Sequence, residues 1–292
     1  MPTCKANGIE LYYETFGEAA DPTLLLVMGL GAQMTAWEDD FCLGFVDRGF
    51  HVVRYDNRDV GLSSRIDAKG GDFMTSFLAA SQGQPVDAPY LLTDMAADAI
   101  GLLDHLGIDQ AHVVGASMGG MIAQTIAIEH PDRVLTLTSI MSTTGEPEVG
   151  QPTPAAMERL IVAPPTDRAG AIEASVASTN VIGSPDHFDE ERVRARAAAA
   201  YDRAFSPGGT ARQLIAILAS GSRAEALRAL AVPTLVIHGD ADALVTTSGG
   251  RRTADLVPNA ELLIVEGMGH DLPLAMWPQI FEAITINTRR VA

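Results

Sequence analysis

The sequence predicts an α/β fold, a mostly parallel sheet with helices on both faces. Three observations carry that reading. Short strand-like runs alternate with helical patterns through most of the 292 residues, the rhythm of βαβ units. The run PTLLLVMG (22–29) is apolar almost throughout, as expected for a strand covered on both faces. A third run, HVVGASMGGM, passes straight from apolar residues into a glycine-flanked serine and a helical pattern. With 47% hydrophobic and 20% charged residues, the chain has the composition of a folded globular protein.

The elements follow in order. TCKANGIELYYETFG opens with Asn7-Gly8 between two strand-like runs, a pair that supplies the positive φ angles of a hairpin turn. After the strand at 22–29, MTAWEDDFCLGFVDRG (34–49) reads as one amphipathic helix ending at Gly49, and FHVVRYDN (50–57) as the next strand. In the helix, Trp37 is read as a core-facing anchor. LLTDMAADAIGLLDHLG (91–107) repeats the helical spacing and closes at Gly107. QAHVVGAS is a central strand, MGGMIAQTIAIEHPDR a helix stopped by Pro131, and VLTLTSIMS (134–142) another strand.

From 145 to 222 strand-like runs vanish and helical stretches such as EERVRARAAAAYDRA take over. This segment is expected to be a helical lid inserted into a core made of 1–144 and 223–292. The alternation resumes with VPTLVIHGD (232–240), a helix near 248–257, AELLIVEG (260–267) and a last helix from about 277. The two cysteines, Cys4 and Cys42, suggest buried free thiols, neither a disulfide framework nor a metal site.

The serine run points to chemistry. A hydroxyl is a poor nucleophile at neutral pH, so an enzyme that uses one must expose it and set a base against it. At a sharp strand-to-helix bend, side chains two positions before and after the serine would strike neighbouring backbone. Gly115 and Gly119 remove those side chains from around Ser117. The following helix directs its unpaired N–H groups at the bend, which makes the Met118 amide a candidate oxyanion donor. A base and an orienting acid should come later in the chain. LVIHGDADALV puts Asp242 just beyond a strand end, and LIVEGMGHDLP puts His270 in a glycine-rich loop after the next strand. Asp240 is the competing carboxylate. His238 is read as structural, with backbone partners at the strand end.

These motifs resemble those of the α/β-hydrolase family, over nearly everything outside the 145–222 segment. The resemblance implies acyl transfer with Ser117 as nucleophile, His270 as base and Asp242 as its orienting acid. In that family a His-Gly dipeptide follows the third strand, and the next backbone N–H completes the oxyanion hole. Here Met28 stands in the histidine's place; Gly29 remains, and Leu30 falls at the donor position. RYDNRDVGLSS (54–64) matches the family's D-x-R-G-x-G-x-S segment with Asp59 in place of the first glycine; Asp56 and Arg58 are expected to tie that loop down. The combination of VMG, RYDNRD and HVVGASMGG is more loosely similar to the branch containing aclacinomycin methylesterase, which implies a carboxylic ester, among them a methyl ester on a bulky apolar substrate.

Met28, Leu30, Met34, Met118, Met121 and Met268 all fall in or beside the site loops. Met28, Met121 and Met268 are the candidate substrate-binding residues of a pliable apolar pocket, with core filling as the competing reading. The formal net charge of −17 disfavours nucleic acid and an anionic membrane surface, both of which select for clustered Lys and Arg. A small-molecule substrate is the expected partner. The opening residues carry no apolar run behind a basic stretch, and no apolar run approaches the roughly 18 residues of a spanning helix, so a cytoplasmic location is expected. No metal-ligand cluster and no dinucleotide fingerprint is found, and no cofactor is implied. No residue pattern sets the oligomeric state; a homodimer is compatible with it. Three readings stay open: an ester hydrolase, the same triad used for C–C cleavage, lactone opening or perhydrolysis, and a non-catalytic ligand-binding relative.

Overall fold

The Asn7-Gly8 pair folds the start of the chain into a hairpin, both residues taking positive φ (46° and 80°), and the two strands it joins begin the sheet. A computed structural model describes residues 2–68, 73–162 and 165–291. Its strands are β1 (Thr3–Ala6), β2 (Ile9–Phe16), β3 (Thr23–Val27), β4 (His51–Tyr55), β5 (Ala111–Ala116), β6 (Val134–Ile140), β7 (Thr234–Gly239) and β8 (Glu261–Val265). They form one sheet in the order β1-β2-β4-β3-β5-β6-β7-β8. The β1–β2 and β2–β4 pairs are antiparallel and every other pair is parallel, in agreement with the sequence reading.

The helices are α1 (Asp39–Val46), α2 (Phe73–Ser81), α3 (Leu92–Leu106), α4 (Met118–Glu129), α5 (Pro154–Ile161), α6 (Arg168–Ile182), α7 (Glu190–Arg203), α8 (Pro207–Ser220), α9 (Ala224–Leu227), α10 (Ser248–Leu256) and α11 (Trp277–Thr288). Strand residues alternate between two cores. In β3, Leu25 and Val27 join α3 and α4 on one face, while Leu24 and Leu26 join α1 and α11 on the other. That double burial is why the run is apolar at successive positions rather than alternate ones. The second core is aromatic: Trp37 stacks on Phe41 at 5.3 Å, and Phe41 meets Trp277 and Phe281. Trp37 is thus a core anchor, as its helical spacing suggests. Cys4 and Cys42 are buried free thiols.

The helix expected over 34–49 is shorter than its pattern. Met34–Ala36 form a separate 3-10 turn, and α1 starts only at Asp39. The break has a polar cause. The Trp37 carbonyl accepts from the Arg54 guanidinium and from Cys42 Sγ, and the Met34 N–H donates to Asp56 Oδ1 at 2.8 Å. Backbone groups engaged by side chains from β4 and its following loop are drawn out of a continuous helical ladder. α2, by contrast, lies where the sequence offered no element.

Between β6 and β7 the described residues contain helices and no strand. Arg223 joins the two ends of this insertion. Its backbone N–H donates to Thr144 O at 2.8 Å, its Nη2 to Thr143 O at 2.8 Å and its Nε to Gln124 Oε1 on α4 at 3.0 Å. The insertion touches the core through loops at the carboxyl ends of strands. Arg212 on α8 makes a two-pronged contact with Asp59 (2.9 and 2.6 Å), and Arg203 on α7 pairs with Asp56 at 2.8 Å. Asp59 holds φ at 72°, a conformation aspartate tolerates better than most residues, which explains how it can replace a glycine there. Arg58 pairs through two bonds with Asp98 of α3, at 2.6 and 2.7 Å, both side chains buried. The segment 54–64 is therefore tied down as its charges suggest. Among the described residues no helix is long and apolar enough to cross a membrane.

Burial of His112 in β5 makes the fold's stability depend on pH. The side chain is 4% exposed, its Nδ1 lies 2.9 Å from Thr136 Oγ1, and desolvation lowers its pKa from 6.5 to about 4. The unfolded chain therefore binds a proton near pH 6.5 that the folded chain refuses until about pH 4. Stability is unaffected above that window and falls as pH drops through it, by up to about 3 kcal/mol. Urea denaturation at pH 7 and pH 4.5 should show this loss in the wild type and a clearly smaller one in His112→Asn; equal losses would contradict it.

Candidate active site

The bend at residue 117 comes from β5 running directly into α4 with a single residue between them. Ser117 holds φ 57° and ψ −122°, a region costly for any residue but glycine. Side chains at Gly115 and Gly119 are excluded as the sequence implies: a Cβ on Gly115 would overlap the Gly119 backbone, and one on Gly119 the Val27 backbone. The bend is held by hydrogen bonds to the end of β6. Ser117 N–H donates to Ile140 O at 2.9 Å, and Ser142 Oγ donates to Ser117 O at 2.8 Å. Gly120 also lies too close to Ser142 for a side chain, a constraint the G-x-S-x-G spacing does not reveal.

Ser117, His270 and Asp242 come together although they are far apart in sequence. Ser117 Oγ is 2.9 Å from His270 Nε2, and His270 Nδ1 is 2.8 Å from Asp242 Oδ2. With Nδ1 carrying the proton, His270 donates to Asp242 and accepts from the Ser117 hydroxyl. The Asp242 side chain is fully buried and that of His270 is 7% exposed. Asp242 Oδ1 also accepts the N–H groups of Leu244 and Val245, each at 2.9 Å. Burial alone would push this carboxyl up; the charge of His270 and the hydrogen bonds from His238 and His270 outweigh burial and hold its pKa at about 2. Asp240 serves elsewhere, accepting the Gly267 N–H at 2.7 Å.

His238 is completely buried. Its Nε2 lies 2.7 Å from Val245 O and 3.4 Å from Asp242 Oδ2, while Nδ1 has no partner among the described residues. Nε2 therefore carries the proton and donates to the backbone, the structural part read from the sequence. It also makes His238 a second imidazole beside Asp242, which the sequence reading did not foresee.

The loop after β3 lies against the serine: a Cβ on Gly29 would sit 3.0 Å from Ser117 Cβ. Leu30 follows in that loop, and Met118 is the first residue of α4, where helix N–H groups lack partners within the helix. No histidine holds the loop at position 28. Instead Asn57 Nδ2 donates to Met28 O at 2.8 Å, and Gly31 N–H donates to Gln213 Oε1 of α8 at 2.8 Å. Gln213, fully buried, also donates to Arg58 O. Neither contact has a local sequence signal.

The methionines divide. Met28 and Met121 keep slight exposure, at 8% and 7%. Met34, Met118 and Met268 are fully buried. All three candidate pocket methionines border the cores, Met28 and Met268 in the aromatic one and Met121 in the other; Met268 is the one without exposure, its backbone packed so close to Gly239 that no side chain fits there.

Comparison with known proteins supplies the family. The family model for the α/β-hydrolase fold matches residues 22–274. The chain is 31% identical to rhodomycin D methylesterase DnrP of Streptomyces peucetius over 99% of each chain, and 28% identical to 3-oxoadipate enol-lactonase 2 of Acinetobacter baylyi over 90% of this chain and 88% of that one. Among solved structures, a meta-cleavage product hydrolase from Pseudomonas fluorescens IP01 superimposes with a TM-score of 0.78 at 20% identity, covering all of this chain and 98% of that one, a likeness of fold. The chain belongs to the α/β-hydrolase family of enzymes.

Proposed function

We propose that the protein is a serine hydrolase that cleaves a carboxylic ester through an acyl-enzyme on Ser117, and that the ester is a methyl ester on a largely apolar molecule. One observation carries the reaction type: the unbroken hydrogen-bonded line from Ser117 Oγ through His270 to buried Asp242, at 2.9 and 2.8 Å. The likeness to a rhodomycin D methylesterase along the whole chain supports the ester. Met28 and Met121, with their residual exposure, fit an apolar acyl pocket.

In this mechanism His270 takes the Ser117 proton as Oγ attacks the ester carbonyl carbon. The negative charge that develops on the carbonyl oxygen is held by the backbone N–H groups of Leu30 and Met118. His270 then gives its proton to the leaving alkoxide oxygen, and methanol departs. A water molecule, deprotonated by His270, attacks the acyl carbon and frees the carboxylic acid and Ser117. Asp242 fixes the imidazole tautomer and stabilises its protonated form. The 145–222 insertion acts as a lid over this site, with the hydrolase core in 1–144 and 223–292.

A fluorophosphonate probe should label the wild type and not Ser117→Ala, and hydrolysis of methyl and p-nitrophenyl esters should fall in the variant by at least about 10³-fold. An inert, folded wild type would overturn the esterase reading in favour of ligand binding. Turnover of a lactone, or cleavage of a C–C bond, with esters untouched would move the same triad to one of the alternative chemistries, the first of them named for the enol-lactonase relative.

Asp242→Asn should lower kcat on the order of 10³- to 10⁴-fold, because an amide no longer holds the Nδ1–H tautomer. Its charge also contributes to stability. The folded carboxyl stays ionised to about pH 2 whereas an ordinary one protonates near 3.8. The contribution is complete above 3.8 and is lost as pH falls toward 2, about 2 kcal/mol in all. Urea midpoints at pH 5 and pH 2.5 should diverge more in the wild type than in Asp242→Asn; parallel behaviour would contradict the buried ionised acid.

A further inference from the structure

The loop that carries His270 is held from above by the insertion. α6 ends at Ile182 with Gly183 as its cap, and Ser184 caps the short turn Pro185–His187. Ser184 is 1% exposed. Its Oγ accepts the Gly269 N–H at 2.9 Å and donates to Asp271 Oδ1 at 2.5 Å, and its own N–H donates to the same oxygen at 2.9 Å. Between these contacts the His270 N–H donates to Ile182 O at 2.6 Å. Each of the residues 269, 270 and 271 is thus bonded to Ile182 or Ser184. The two backbones also touch: a side chain at Gly269 would overlap the Gly183–Ser184 peptide.

We propose that Ser184 is a positioning residue for His270, so that the imidazole stands in line with Ser117 only while the end of α6 is seated on the 269–271 loop. The inference rests on the hydrolase reading above. Two physical consequences support it. A base displaced by about 1 Å from its nucleophile loses on the order of 10²-fold in rate, and the loop's own backbone N–H groups find their acceptors on the insertion, so release of α6 leaves them unpaired. Ser184 also keeps Asp271 engaged through two donors. Without them a second carboxylate, next in sequence to His270, is free to compete with Asp242 for the imidazole.

The test uses the full-length protein and two readouts: steady-state kinetics on a short ester, and the low-field proton NMR signal of the His270 Nδ1–H shared with Asp242. Ser184→Ala should lower kcat roughly 10- to 100-fold with KM changed less than about twofold, and should broaden or abolish the low-field signal. Ser184→Thr, which keeps the hydroxyl, should restore both. Kinetics and signal unchanged in Ser184→Ala would overturn the proposal, as would a loss confined to KM. If Ser184→Ala does not fold, Ser184→Cys, whose thiol fills the same space but is only a weak hydrogen-bond donor and acceptor, is read the same way. An inert wild type would defeat the hydrolase reading alone, since the signal in the variants still decides whether Ser184 holds the imidazole.

Discussion

The structure turns on the backbone of Ser117, held at φ 57° by its neighbours. Such a conformation costs on the order of 1–3 kcal/mol and persists only where the surroundings over-determine it. Here they do so from three directions. The Ile140 carbonyl and the Ser142 hydroxyl fix the peptides on either side of Ser117. Gly119 lets β3 pack against α4, and Gly29 brings the next loop against the serine itself. Each contact comes from a parallel strand or the turn that follows it, so the adjacency β3-β5-β6 is what delivers them to one place.

Charge organises the layer above the strand ends. Asp56, Arg58 and Asp59 are consecutive but for one residue, yet they reach three different elements: α7 through Arg203, α3 through Asp98, and α8 through Arg212. Buried pairs of this kind add little net stability against an apolar core, while breaking one by removing a partner costs about 3–5 kcal/mol. Their effect is registry: the helices of the insertion can seat in few other ways without stranding a carboxylate. The loop after β3 inherits that registry through Asn57 and Gln213, and the His270 loop through Ile182 and Ser184. Both halves of the catalytic constellation proposed for this site are therefore built partly by residues of the insertion.

What the sequence disclosed follows from how local each cause is. The hairpin at Asn7-Gly8, the apolar run of β3, the Gly107 helix end and the glycine pair around Ser117 are all set by neighbours in the chain, and each was legible. The early start expected for the helix over 34–49 failed because the Trp37 carbonyl is taken by Arg54, a contact made only after β4 is in place. Asp59 looked like a departure from the family segment, yet its left-handed backbone and its bonds to Arg212 and Tyr90 show a residue fitted to the glycine's conformation and given added partners. Gln213 sits in a helical stretch and Ser184 in the break after one, and neither spacing carries a mark of the loop it binds, 182 residues away for the Gly31 contact and 85 for the Gly269 contact. Met268 shares the apolar character of Met28 and Met121, and only its complete burial separates it from them.

The central claim, that Ser117 becomes acylated, is tested most directly by rapid-quench intact-protein mass spectrometry during turnover of a slowly deacylated ester, followed by peptide mapping. The account predicts a transient mass increase equal to the acyl group, located on the peptide containing Ser117 and absent from Ser117→Ala. Sustained ester turnover with no adduct at any time point, and undiminished in Ser117→Ala, would contradict it.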